Sequence, residues 1–146
     1  MLKFFFLFAA VYLLLGLYFY RQQRNMIYFP RAEVSHPFRE FAVENQGESI
    51  HVIAVNEGKS EAVIYFGGNA EAAGNSAQIY AEHLPEQTFY FVNYRGYGKS
   101  SGEPTQKGLY SDALRVYDTI SRKHSDVSTA GRSLGSSIAV YLAANR

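Results

Sequence analysis

The stretch AGRSLGSS, residues 130–137, decides how the rest of the chain is read. Gly131-Arg132-Ser133-Leu134-Gly135 matches G-x-S-x-G. It lies between a short β-branched run, DVSTAG (126–131), and an apolar run with helical character, LGSSIAVYLAANR (134–146). A serine at such a strand-to-helix bend has its hydroxyl pushed outward from the sheet edge. The flanking Gly131 and Gly135 remove side chains that so sharp a bend would crowd. The N–H of Leu134 would stand at a helix N-terminus, where donors are unpaired and the dipole favours negative charge. An oxyanion formed on an attacked carbonyl could rest there. The plainer alternative is a serine that caps the helix, with glycines for close strand–helix packing.

Working outward, the chain reads as strands alternating with helices. FAVEN (41–45) and SIHVIAVNE (49–57) flank Gly47 as a hairpin. EAVIYF (61–66) and TFYFVNY (88–94) are apolar strands. The periodicity predicts helices over 70–84, with Ala73, Ala77, Tyr80 and Leu84 on one face, and over 106–124, with Leu109, Ala113, Val116 or Tyr117, and Ile120 inward. A hairpin followed by repeated strand–helix units is an α/β pattern with a mostly parallel sheet. Gly67-Gly68 follows the strand at 61–66, and the amides of Asn69 or Ala70 are candidates for a second oxyanion donor. An ordinary glycine turn with Asn69 as helix N-cap is the alternative.

Residues 4–20, FFFLFAAVYLLLGLYFY, carry no charge. As a helix they reach roughly 25 Å, near the ~30 Å of a bilayer's hydrocarbon layer. Lys3 and Arg21 can snorkel outward, and Tyr18 and Tyr20 suit the membrane interface. The stretch reads as an uncleaved anchor; a cleaved signal and a buried helix are the alternatives. The positive-inside rule leaves its orientation open. The organisation expected is an anchor at 1–22, a linker at 23–38 and a partial α/β domain at 39–146.

Composition narrows the function. The net charge is +1 with acids and bases interspersed, so no basic stripe points to nucleic acid. With no cysteine, disulfide frameworks and thiolate metal sites are excluded. No metal cluster and no cofactor is implied. Asn93 to Ser100 comes near the phosphate-binding G-x-x-x-x-G-K-[ST], but it begins with Asn93, and Pro104 delays any helix to about Thr105. Arg95 and Lys99 in this loop could meet an anionic head group, or stand in water as ordinary loop charges.

NMIYFP (25–30), GGNAE (67–71), NYRGYGKSSGEPT (93–105) and AGRSLGSSIAVYLAA (130–144) together resemble the α/β-hydrolases that carry an N-terminal membrane anchor, a group including lysophospholipid lipases and protein depalmitoylases. The resemblance implies a serine hydrolase acting on ester or thioester bonds of a membrane lipid or acylated substrate, with Ser133 as nucleophile and Leu134 and the Asn69 region as oxyanion hole. The family commonly has His-Gly-Asn where this chain has Gly67-Gly68-Asn69. A larger departure is that no Asp, Glu or His follows Ser133, although in this fold the triad order is Ser, then Asp or Glu, then His. His36, His51, His83 and His124 all precede it, and His124 and Asp126 lie ~20 Å of strand away. The expectation is a truncated hydrolase, inactive as given; a non-catalytic anchored fragment or binding protein is the second reading, and a nucleotide binder a remote third.

Overall fold

Alternation along the strands sets the architecture. In β3 (Glu61–Phe66), Ala62, Ile64 and Phe66 enter one hydrophobic cluster while Val63 and Tyr65 enter another. β4 (Thr88–Val92) does the same, with Tyr90 and Val92 on one face and Phe89 and Phe91 on the other. Apolar residues on both faces of a strand require cover on both faces of the sheet. A computed structural model describes residues 1–146 and supplies that cover. α2 (Ala73–His83) lies on the face of Phe89 and Phe91. α3 (Gln106–Ile120) and α4 (Leu134–Asn145) lie on the other, inserting Leu109, Ala113, Val116, Ile120, Ile138 and Leu142. Val116, rather than Tyr117, is the buried choice on α3.

The sheet is completed by β1 (Arg39–Asn45), β2 (Glu48–Val55) and β5 (Asp126–Gly131), in the order β1-β2-β4-β3-β5. β1 and β2 form an antiparallel hairpin whose turn residues, Gln46 and Gly47, both have positive φ (54° and 81°). That is the turn twist a two-residue hairpin needs. β2 pairs antiparallel with β4; β4, β3 and β5 are parallel. The expected α/β class, with an antiparallel start to a mostly parallel sheet, is the one observed.

Three boundaries differ from the periodicity. α1 (Leu2–Ile27) continues through residues 23–27, where a polar connection is expected, and stops as Tyr28 turns extended (φ −105°, ψ 136°) two residues before Pro30. Arg24 in its last turn favours the helix dipole. α2 begins at Ala73, not 70, so the glycine turn extends over residues 67–72. Leu84 falls outside α2 and is 43% exposed. α1 is long and apolar enough to cross a membrane, and none of its residues is buried.

The loop at 93–104 is fixed by charge. Arg95 is not a solvated loop charge: its Nε and Nη2 meet the Asp112 carboxylate at 2.7 and 2.6 Å, and the Asp112 side chain is 3% exposed. Asn45 Nδ2 also donates to Asp112, at 2.7 Å, so one carboxylate joins the loop, α3 and the hairpin. Lys99 Nζ donates to both oxygens of Glu40 at 2.7 Å, holding that carboxyl below the usual glutamate range.

Two outcomes follow. Asp112→Ala strands a buried guanidinium and is expected to destabilise the fold by about 3–5 kcal/mol in thermal or urea unfolding. The folded-state value of Glu40 is depressed, so the stability it contributes is intact above the ordinary glutamate range and lost as pH falls through the lowered value. Lys99→Met is expected to flatten the acid limb of a stability–pH curve while leaving its neutral limb parallel to that of the parent.

Candidate active site

Phe66 and Gly131 are register partners at the carboxyl ends of the parallel strands β3 and β5. The Arg132 N–H extends that ladder by donating to the Phe66 carbonyl at 3.0 Å. Two connections therefore leave the sheet side by side: residues 67–72 and the bend at 132–133. The bend is tight. A methyl at Gly131 would overlap the Gly135 carbonyl, and one at Gly135 would overlap the Phe66 carbonyl. Glycine at both positions lets α4 start directly against the end of β3.

Ser133 occupies φ 52°, ψ −115°, a strained region for a residue with a side chain. It is exposed and precedes α4, yet its side chain makes no capping bond, so the capping alternative fails. The N–H groups of Gly135 and Ser136 bond the carbonyls of Arg132 and Ser133, at 2.9 and 3.0 Å. The N–H of Leu134, first residue of α4, has no preceding turn to bond.

The glycine loop is held from three sides. Tyr94 OH donates to the Gly67 carbonyl at 2.6 Å; burial pushes its phenol above the usual range, so it remains a donor. The Gly68 N–H donates to Glu71 Oε2 at 2.7 Å, and the Glu71 N–H returns to the Gly68 carbonyl at 3.1 Å. Glu71, with its side chain 6% exposed, also accepts from Ser76 Oγ and pairs with Arg132 Nε at 3.0 Å. The Asn69 and Ala70 N–H groups donate to nothing in the chain. Asn69 is not an N-cap: Ala72 takes that position, and the Asn69 side chain bonds elsewhere.

Of the residues singled out by sequence, Ser133, Leu134, Gly131 and Gly135 lie on one side of this junction, and Gly67, Gly68, Asn69 and Ala70 on the other. Glu71 and Arg132 escaped notice there. Each stands just past the end of one of two adjacent strands with opposite charge, a signal readable only once β3 and β5 are paired.

No histidine joins the cluster. His124 bonds Tyr90 OH at 2.8 Å and the Lys59 carbonyl at 3.0 Å, at the opposite end of β5. His83 is exposed at the end of α2, with Nδ1 at 2.8 Å from the Ile79 carbonyl. His36 and His51 lie near Glu40, at 3.1 and 3.7 Å. The near-match to a phosphate loop is also committed elsewhere. Lys99 is bonded to Glu40, and Ser100 is buried, donating to the Asn93 carbonyl and accepting the His51 N–H, each at 2.8 Å.

No protein-family model matches the chain. An uncharacterized Mycobacterium tuberculosis protein, Rv2307c, is 33% identical over 147 residues, covering 89% of this chain and 52% of that protein. The lysophosphatidylserine lipase ABHD12 of Gallus gallus is 36% identical over 85 residues, 55% of this chain and 22% of the lipase. Among solved structures, the Pyrococcus furiosus esterase PF2001 superposes with a TM-score of 0.61 at 16% identity, over 78% of this chain and 50% of the esterase. The chain thus spans about half the length of the first of these relatives.

Glu71→Gln keeps the shape of the clasp but loses its charge. It is expected to cost about 1.5–3 kcal/mol of local stability, the range for hydrogen bonds to charged groups. Hydrogen exchange at residues 67–72 should quicken, with α3 unchanged.

Proposed function

We propose that this chain, which carries the N-terminal half of the α/β-hydrolase fold, is the nucleophile-bearing part of a serine hydrolase that acts on acyl esters or thioesters at a membrane surface. One observation carries the reading. An exposed serine in a strained backbone conformation stands beside amides that have no other partner, at the carboxyl ends of two parallel strands.

In this reading Ser133 Oγ attacks the substrate carbonyl carbon, and the carbonyl electron pair moves onto oxygen. The N–H of Leu134 and that of Asn69 or Ala70 hold the oxyanion. Its collapse expels the alcohol or thiol and leaves an acyl-serine. Water then attacks the acyl carbon and releases the acid. The Ser133 proton needs a base, and none of the chain's histidines is placed to take it. In this fold the acid and base follow the nucleophile in the chain, so the reading assigns them to the part of the relatives' length that this chain does not span.

A lipid or acyl substrate is supported by two observations. A relative is named a lysophosphatidylserine lipase, and the apolar α1 ends beside the candidate site. The same helix supports a single-pass membrane anchor. The second reading, an anchored protein without catalysis, is favoured by the missing base.

Turnover of p-nitrophenyl butyrate separates the two. Residues 1–146 alone are expected to give only background hydrolysis. The chain extended to the length of its relatives is expected to hydrolyse the ester, and Ser133→Ala in it to reduce kcat on the order of 10⁴-fold. Turnover undiminished by Ser133→Ala would overturn the assignment.

A further inference from the structure

The Asn69 carboxamide is spent on the end of the apolar helix. Its Nδ2 donates to the carbonyl of Ile27, the last residue of α1, at 2.6 Å. Its Oδ1 accepts from the Phe29 N–H at 3.1 Å and from Tyr97 OH at 2.7 Å. Tyr97 OH itself accepts from the Phe29 N–H at 3.1 Å, which closes the ring of bonds, and Tyr97 is 2% exposed. The Ile27 carbonyl is one of the acceptors that a helix C-terminus leaves unpaired, so Asn69 acts as a cap supplied from 42 residues away. Ala70 and the helix-end residues Asn25, Tyr28, Phe29, Pro30 and Arg31 line one open groove of about 440 Å³. The other strap, Arg24 to Glu103 at 3.0 Å, is exposed at both ends and holds weakly.

These bonds fix the Asn69 side chain and, through its Cα, the backbone whose two amides have no partner. We infer that the last turn of α1 is a positioning element of the oxyanion hole: it sets the Asn69 and Ala70 N–H groups through the Asn69 carboxamide and Tyr97. The inference rests on the serine-hydrolase reading above. It makes the membrane helix part of the preorganisation of the site as well as a tether. Glu71 fixes the near end of the loop and Asn69 its outer end, so neither group alone defines the position of the donors.

The test uses the chain extended to the length of its relatives, in phosphatidylcholine nanodiscs, with 1-butaneboronic acid as probe. Boron accepts a lone pair of Ser133 Oγ, the hydroxyl proton passes to water, and the tetrahedral adduct places an oxygen where the oxyanion would sit. 1-Butanol, which cannot form the tetrahedral adduct and carries no charge, serves as the control ligand. Asn69→Ala is expected to weaken boronate binding by about 10- to 100-fold, the scale of a misplacement near 1 Å. Tyr97→Phe removes one hydroxyl that bonds Asn69 and Phe29 and not Ser133, and is expected to weaken it by roughly 3- to 10-fold, the worth of an ordinary hydrogen bond. In both, 1-butanol affinity and exchange across α3 stay at parent values while exchange at 67–72 quickens. Boronate affinity unchanged in Asn69→Ala overturns the inference alone. Should Asn69→Ala lose the protection of α3, Tyr97→Phe decides, and unchanged affinity there overturns it. No boronate adduct with the parent chain, or an adduct that survives Ser133→Ala, overturns the serine reading and this inference with it.

Discussion

Phe66 sits opposite Gly131 in the parallel ladder between β3 and β5, and both sides of the candidate site follow from that pairing. Parallel neighbours end at the same edge of a sheet, about 4.8 Å apart. Whatever leaves them leaves together. Here those departures are a glycine turn and a serine bend, and the contact between them admits no side chain at Gly135. A slip of two residues would keep the same faces inward. It would nevertheless carry Ser133 past the glycine turn. The register therefore decides the chemistry as well as the packing of α4.

Charge reinforces what backbone geometry begins. Glu71 draws together the Gly68 amide, the Ser76 hydroxyl and Arg132, residues from the turn, α2 and the bend. A carboxylate so placed gains from several donors at once, which offsets the cost of its burial. It also occupies the Gly68 amide, while the Asn69 and Ala70 amides that follow have no partner. Arg95 and Asp112 perform a comparable service one loop away, holding residues 93–104 against α3 and the hairpin, and from that loop Tyr94 and Tyr97 reach the turn. The site is thus supported by side chains from loops that sequence alone reads as solvated connections.

How much of this was legible depended on the range of the interaction. β3 at 61–66 and β5 at 126–131 are visible as β-branched runs bounded by polar residues and glycine, because strand character is a local property. The bend at 131–135 is visible for the same reason. The insertion of β4 between β2 and β3 is not, since periodicity says which face is apolar and nothing about which strand lies alongside. Glu71 reads as an ordinary charge at the start of a helix; only the later onset of α2, at Ala73, turns it inward. Asn69 reads as an oxyanion donor with a cap of α2 as the alternative; its side chain does cap a helix, but α1 instead. The continuation of α1 to Ile27 was hidden by polar residues at 21–25, which an exposed helix tolerates and a membrane span does not.

The most direct measurement is of the β3–β5 register itself. The chain has no cysteine, so a single introduced pair can be read without background. Glu61 and Asp126 are exposed register partners at the start of the two strands, within the Cα separation of about 4.4–6.8 Å that a disulfide spans. In mild oxidation, Glu61→Cys is predicted to close rapidly and nearly completely with Asp126→Cys, and far more slowly with a cysteine at His124 or Ser128. Preferential closure with position 124 or 128 would mean that Phe66 does not face Gly131, and the serine bend and the glycine turn would not form one site.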